Sequence, residues 1–217
     1  MNAPATALPT APYVAVRAAS VPVTAVAVVL PGGRADSFDP TSARHLTGVR
    51  MRPFARALHH AGAARGVDVW TVRYRVRGWN GTEMSPVADA RWVLGEVQSR
   101  HGAVPIVLVG HSMGGRTAVR IADTEGVTGV VALAPWLPDG DPVEPLAGKR
   151  LFVMHGSLDK VTSPRASRRF ADRAREVAAQ VDYVSMRGDT HAMLLRPAAW
   201  HRVSTAAAMA MLGLPPK

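Results

Sequence analysis

Short runs of Val, Ile and Leu alternate with stretches of helical periodicity along almost the whole chain, and few folds accept that pattern. Residues 21–30 form a continuous apolar run closed by Pro31, Gly32 and Gly33. Residues 50–64 then carry Met51, Phe54, Ala55, Leu58 and Ala61 at the three- and four-residue spacing of one helix face. Further strands are predicted over 67–74, 104–109, 127–133, 150–155 and 181–186. Helices are predicted from Pro86 to His101 and over 114–125, 164–179 and 198–212. Strands without polar alternation are buried on both faces, and the helices between them supply the long crossovers that parallel pairing needs. The expected class is therefore α/β, a doubly wound, mostly parallel sheet with helices on both faces.

Size and composition narrow the organisation. A chain of 217 residues is long enough to bury about 70% of its unfolded surface in one core. One domain over 13–217 is expected, after a flexible tail over 1–12. The formal charge of +10 invites a nucleic-acid partner. Yet only Lys149, Lys160 and Lys217 are lysines, and the arginines are scattered from Arg17 to Arg202. Their densest group, Arg165, Arg168, Arg169, Arg173 and Arg175, has the spacing of a solvated helix face, so no nucleic acid is expected as partner. Cysteine is absent, which excludes a disulfide framework, a thiol nucleophile and a Cys-based zinc site. No run of eighteen uncharged apolar residues exists, so no membrane span is expected. Residues 18–30 mimic the core of a signal peptide but end in Pro-Gly-Gly and are needed as a buried strand, which favours the cytoplasm.

Chemistry concentrates at Gly110-His111-Ser112-Met113-Gly114, a G-x-S-x-G sequence between a predicted strand and a predicted helix. A sharp strand-to-helix turn holds its serine in a strained conformation and projects the hydroxyl above the carboxyl ends of the strands. Ser112 is the candidate nucleophile. The bland alternatives are an idle serine on a Gly-rich turn or a phosphate-binding loop. The latter requires G-x-x-x-x-G-K-[ST] or G-x-G-x-x-G, and neither occurs.

The segment from Gly110 to Gly115 resembles the nucleophile elbow of the α/β-hydrolase superfamily, and the likeness extends over about residues 21–212. The resemblance implies a catalytic order of Ser, then Asp or Glu, then His. His191, between the last strand and the last helix, stands where that family carries its catalytic histidine. His155 reads as a strand-end residue, and His201 falls inside the last helix. Asp159, in His155-Gly-Ser-Leu-Asp159-Lys-Val-Thr-Ser-Pro164, resembles the family's acid-bearing segment; Asp189, Asp139 and Asp141 are its rivals. By the same resemblance the oxyanion hole takes the backbone N–H of Met113 and a second N–H from the loop after the first core strand. Gly33 holds that place, with Arg34 next, although Pro31 stands where many relatives have His.

A lid domain does not fit in residues 134–149, which implies an open site. Trp136, in an Ala-Pro-Trp sequence similar to one in dienelactone-hydrolase-like esterases and polyester hydrolases, is expected to line the substrate site, with Trp79 on the opposite wall. The implied activity is cleavage of small or accessible carboxylic esters through an acyl-enzyme, without metal or organic cofactor. Two other functions fit the same residues. One is a thioesterase or acyltransferase, for which a basic surface would suit an acidic carrier protein. The other is a non-catalytic binding protein on a hydrolase fold.

Overall fold

The computed structural model describes residues 9–214, so residues 1–8 of the expected tail lie outside the described residues. Seven strands join in one sheet: β1 (Tyr13–Arg17), β2 (Ala25–Leu30), β3 (Val67–Arg73), β4 (Ile106–His111), β5 (Val127–Leu133), β6 (Arg150–Gly156) and β7 (Gln180–Met186). Their spatial order is β1-β3-β2-β4-β5-β6-β7. β1 runs antiparallel to β3, and every other neighbouring pair is parallel. The helices are α1 (Leu46–Gly62), α2 (Ser85–His101), α3 (Met113–Arg120), α4 (Pro164–Ala174) and α5 (Pro197–Met211). Among the described residues no helix is long and apolar enough to cross a membrane.

The two-residue period of a strand sorts the apolar side chains of β2 into two layers. Ala25, Ala27 and Val29 pack with Met51, Phe54 and Leu58 of α1 and Trp200 of α5. Val26, Val28 and Leu30 pack with Val93 and Leu94 of α2, Val119 of α3 and Phe170 of α4. All six residues of β2 are buried, which is why the run shows no polar alternation. The doubly wound sheet follows the expectation.

Several boundaries differ from it. β1 carries no buried residue and only Val14 packs against the core, so its signal is too weak to separate from the preceding tail. β2 begins at Ala25 rather than residue 21, because Pro22 has no N–H for the ladder. α1 starts earlier than expected, at Leu46. α3 ends at Arg120 rather than residue 125, where turn hydrogen bonds from Ala122 to Val119 and from Thr124 to Ile121 replace the helix. α4 stops at Ala174 rather than residue 179, although Val177 and Ala178 beyond it still pack against the core.

The loops that leave the carboxyl ends of β2, β4, β5, β6 and β7 open on one edge of the sheet, where parallel α/β proteins place their sites. One of them is tied down along its length. Residues 34–41 run beside residues 74–80 as a strap: Arg34 N–H donates to the Arg77 carbonyl at 2.8 Å, Gly78 N–H to Ser37 at 2.8 Å and Trp79 N–H to Arg34 at 2.9 Å. The Asn80 side chain closes it by accepting from Ser37 N–H at 2.8 Å.

Candidate active site

Ser112 sits between the end of β4 and the start of α3 with φ 55° and ψ −119°. A non-glycine residue in that region is strained and persists only where its surroundings over-determine it. Here they do. Ser112 N–H donates to the Leu133 carbonyl at 3.0 Å, while its own carbonyl accepts from Gly115 N–H at 3.0 Å and Trp136 N–H at 3.1 Å. Gly114 lets the new helix meet β2: a Cβ there would lie 2.2 Å from the Leu30 carbonyl oxygen. Two more non-glycine residues with positive φ lie on neighbouring loops, Ala134 after β5 at 41° and Met193 after β7 at 57°. Such strain is known to cluster at functional sites.

His191 and Asp159 come together on adjacent loops, with His191 Nδ1 2.8 Å from Asp159 Oδ2. That contact places the ring proton on Nδ1 and leaves Nε2 as the proton acceptor. Asp159 gathers other donors as well. Its Oδ1 accepts from Val161 N–H at 2.7 Å and Thr162 N–H at 3.0 Å. Its Oδ2 also lies 3.1 Å from His155 Nε2 and 2.9 Å from the Thr162 hydroxyl. Burial alone would raise the Asp159 carboxyl, but the hydrogen bonds from His155, His191, Thr162 and Val161 outweigh it and hold the group well below the usual carboxylate range. A carboxylate at that position is charged at neutral pH and orients an imidazole.

The rival acids are committed elsewhere. Asp189 is fully buried and accepts from the Trp200 indole N–H at 2.9 Å, pinning its loop to α5. Asp141 is bidentate with Arg116 at 2.7 and 2.8 Å and also bonds Arg120. Asp139 pairs with Arg169 on the surface. His201 packs edge-on against Phe54, at 4.5 Å between ring centroids, in the α1–α5 layer.

Among the described residues no hydrogen bond joins the Ser112 hydroxyl to His191. The two are neighbours through His111, whose ring lies 4.7 Å from that of His191 and whose Nε2 is 3.2 Å from the His191 carbonyl oxygen. Contacts between a nucleophile and its base commonly tighten only around a bound substrate. Burial, reinforced by the neighbouring His191, pushes His111 down to about 3. It is therefore neutral, and its Nε2–H donates to the His191 carbonyl.

The two residues expected to supply the oxyanion donors lie against each other. Met113 is the first residue of α3, where backbone donors have no partner within the helix. Gly33 lies against it: a Cβ on Gly33 would stand 2.3 Å from Met113 Cε and 2.4 Å from the Arg77 carbonyl oxygen. Arg34 N–H is consumed by the strap, which separates it from Gly33. Trp79 is placed differently from expectation. Trp79 is only 3% exposed and its ring meets that of Trp136 edge-on at 6.1 Å, so it backs Trp136 instead of facing an open cleft. The Arg116 guanidinium lies over both rings, at 4.0 Å from Trp79 and 4.6 Å from Trp136. Residues 134–149 form no lid. They hold a single 3-10 turn (Glu144–Leu146) and are clamped to α3 through Asp141.

Three residues of this cluster escape sequence reasoning as functional positions. His111 occupies an unconstrained position of G-x-S-x-G. His155 is fully buried, with Nδ1 2.9 Å from the Ser167 hydroxyl and Nε2 on Asp159. Thr162 reaches Asp159, His191 and the Ala134 carbonyl with one hydroxyl. The turn in which Asp159 accepts from the N–H groups two and three residues on brings that hydroxyl to the carboxylate.

The family model of the alpha/beta hydrolase family matches residues 27–213. No curated protein sequence matches the chain. Among solved structures, the chain resembles XC6422 from Xanthomonas campestris, described as an α/β serine hydrolase without lid. That match has 18% identity and a TM-score of 0.66, covering 96% of this chain and 98% of the other. Est1E from Butyrivibrio proteoclasticus with ferulic acid bound aligns at 12% identity and a TM-score of 0.72, over 93% and 96% of the two chains. The butyrate-bound thermophilic esterase Est2 from Thermogutta terrifontis aligns at 16% identity and a TM-score of 0.69, over 94% and 91%.

Proposed function

The chain belongs to the alpha/beta hydrolase family, and on that premise we propose that it is a serine hydrolase of carboxylic esters acting through an acyl-enzyme. The observation that carries this reading is a strained serine at the β4–α3 turn beside a His191–Asp159 pair joined at 2.8 Å. Ser112 Oγ attacks the acyl carbon as His191 Nε2 takes its proton, and Asp159 steadies the imidazolium that forms. The N–H groups of Met113 and Gly33 receive the oxyanion of the tetrahedral intermediate. His191 then protonates the leaving alcohol, water enters, and the same steps in reverse roles release the acid. The clamped segment over 134–149 and the short loops around it support an open site and small or accessible acyl groups. The butyrate and ferulic acid held by two of the structural relatives are acids of that scale.

Hydrolysis of p-nitrophenyl esters from two to twelve carbons, wild type beside Ser112→Ala, tests the proposal. The expected result is a rate that falls with chain length and drops by at least a thousandfold in a folded Ser112→Ala protein. A variant that keeps most of the activity removes Ser112 as nucleophile. Absence of a rate at every length, with Ser112 still labelled by a fluorophosphonate, moves the acyl donor to a thioester or carrier-bound group.

A further inference from the structure

A cavity of about 670 Å³ opens between β1, the end of β3, the start of α1 and the loop after β2, and its chemistry is one-sided. Arg17, Arg34, Arg52, Arg73, Arg77 and His45 line it, with no aspartate or glutamate. Elsewhere several of the arginines are paired with carboxylates. Arg75 meets Asp89, Arg91 meets Asp123 at 3.0 Å, Arg116 and Arg120 share Asp141 at 2.7 Å, and Arg169 meets Asp139 at 2.9 Å. Among the described residues around the cavity only Arg77 has a carboxylate near it, the exposed Asp39 at 3.8 Å. Arg73 lies over the Tyr13 ring at 4.3 Å and Arg52 donates to the Ala43 carbonyl at 2.8 Å, contacts that leave their charges uncompensated. The Arg17 and Arg34 side chains have no partner among the described residues.

Positive groups gathered around a concave wall reinforce one another's field. Guanidinium forks match carboxylate and phosphate oxygens in pairs. The cavity also shares a wall with the reactive centre. Gly32 and Gly33 line it, and a Cβ on Gly32 would lie 3.2 Å from Ser112 Cβ. Its volume is that of a small-molecule site, larger than a lone ion needs. We propose that this cavity binds an anionic group, a carboxylate or a phosphate, carried by the ester whose carbonyl reaches Ser112. The preferred substrates are then charged esters, such as monoesters of dicarboxylic acids, in place of neutral ones. The inference rests on the esterase reading only in calling the ligand a substrate.

The test reads binding and not turnover, in the full-length Ser112→Ala protein at low salt. Calorimetric titration compares monomethyl glutarate, which carries one carboxylate, with neutral dimethyl glutarate, and inorganic phosphate is titrated separately. The expected result is at least tenfold tighter binding of an anion, monoester or phosphate, than of the diester, weakened at least fivefold by Arg34→Gln combined with Arg52→Gln. Arg34→Gln alone, whose side chain has no contact to lose, shifts affinity in the same direction and guards against a folding effect in the double variant. Tighter monoester binding identifies a carboxylate ligand, and binding of phosphate alone identifies a phosphate-bearing one. Equal affinity for monoester and diester without phosphate binding, or anion affinity unchanged in both arginine variants, overturns the proposal. Because no turnover is measured, that failure leaves the esterase reading intact, while an active Ser112→Ala enzyme in the ester assay would remove Ser112 as nucleophile and leave the anion site standing.

Discussion

At the scale of single residues, the unusual feature is that one carboxylate serves two histidines. Asp159 Oδ2 is 2.8 Å from His191 and 3.1 Å from His155, and the second histidine is fully buried and anchored on Ser167. His155 touches no part of the open site, so its proposed effect on chemistry passes through Asp159, as a positioning residue. Removing a hydrogen bond to a charged group costs about 1.5–3 kcal/mol, or about tenfold or more in rate if it is felt at the transition state. His155→Ala is expected to lower kcat by about tenfold with KM within twofold, and His155→Gln, which keeps a donor, to recover most of the loss. Equal losses in kcat for both variants would assign His155 to packing instead. Residue by residue, the site divides by the reach of local pattern. Ser112 was legible because the turn needs particular neighbours in sequence, whereas the pairing of Asp159 with His191 rested on resemblance until the loops were seen together. His111 was not legible, because its role depends on a loop from β7 arriving beside β4, and His155 was not, because its place on Asp159 and Ser167 is set by how the chain from β6 into α4 folds back on the strand end.

At the scale of elements, the elbow shows how little room a helix start can have. Gly114→Ala would drive a Cβ to 2.2 Å from the Leu30 carbonyl oxygen, a backbone atom that cannot step aside. That substitution is expected to destabilise the protein by several kcal/mol, about the cost of an overpacked core position or more, and to leave it insoluble or melted at working temperature. Gly95, on the exposed side of α2, has nothing within 4 Å of the same construction. Gly95→Ala is expected to raise stability by about 0.5–1 kcal/mol, since a mid-helix glycine gives up more backbone freedom on folding. Thermal melts of the two variants check the contrast, and a destabilised Gly95→Ala would show an unrecognised constraint in α2. The central strands were legible for the reason that makes them central: burial on both faces leaves an uninterrupted apolar run. β1 was not, since it is exposed over most of its length and is held by pairing with β3, a partner more than fifty residues away in the chain. The ends of α3 and α4 were overextended because Ile121, Ala122 and Val177 continue the apolar spacing after the helical hydrogen bonds have stopped.

At the scale of the whole molecule, two buried groups make stability depend on pH in one direction. His111 is held at about 3 against an ordinary 6.5, and Asp159 is held below its ordinary 3.8. Both bind fewer protons in the folded chain than in the unfolded one, so stability rises with pH through their range. The His111 contribution is complete above pH 6.5 and is lost as pH falls toward 3; the Asp159 contribution is lost only below about pH 4. One proton taken up only by the unfolded chain is worth about 1.4 kcal/mol per pH unit. Between pH 7.5 and 4.5 the melting temperature is expected to fall by about 5–10 °C. A melting temperature constant over that interval would mean that His111 is not held neutral by the fold. The strap over 34–41 has a consequence of another kind. The Arg34 and Thr41 amides donate to the Arg77 and Arg75 carbonyls and the Ser37 amide to the Asn80 side chain, while the amide of Gly33, one residue before the strap, has no partner among the described residues. In hydrogen-exchange terms Arg34 is expected to be slow and Gly33 fast, two adjoining positions with opposite protection. Under the proposed assignment, the disorder given up in aiming the Gly33 donor is lost once, when the chain folds, and no round of acylation has to repeat it.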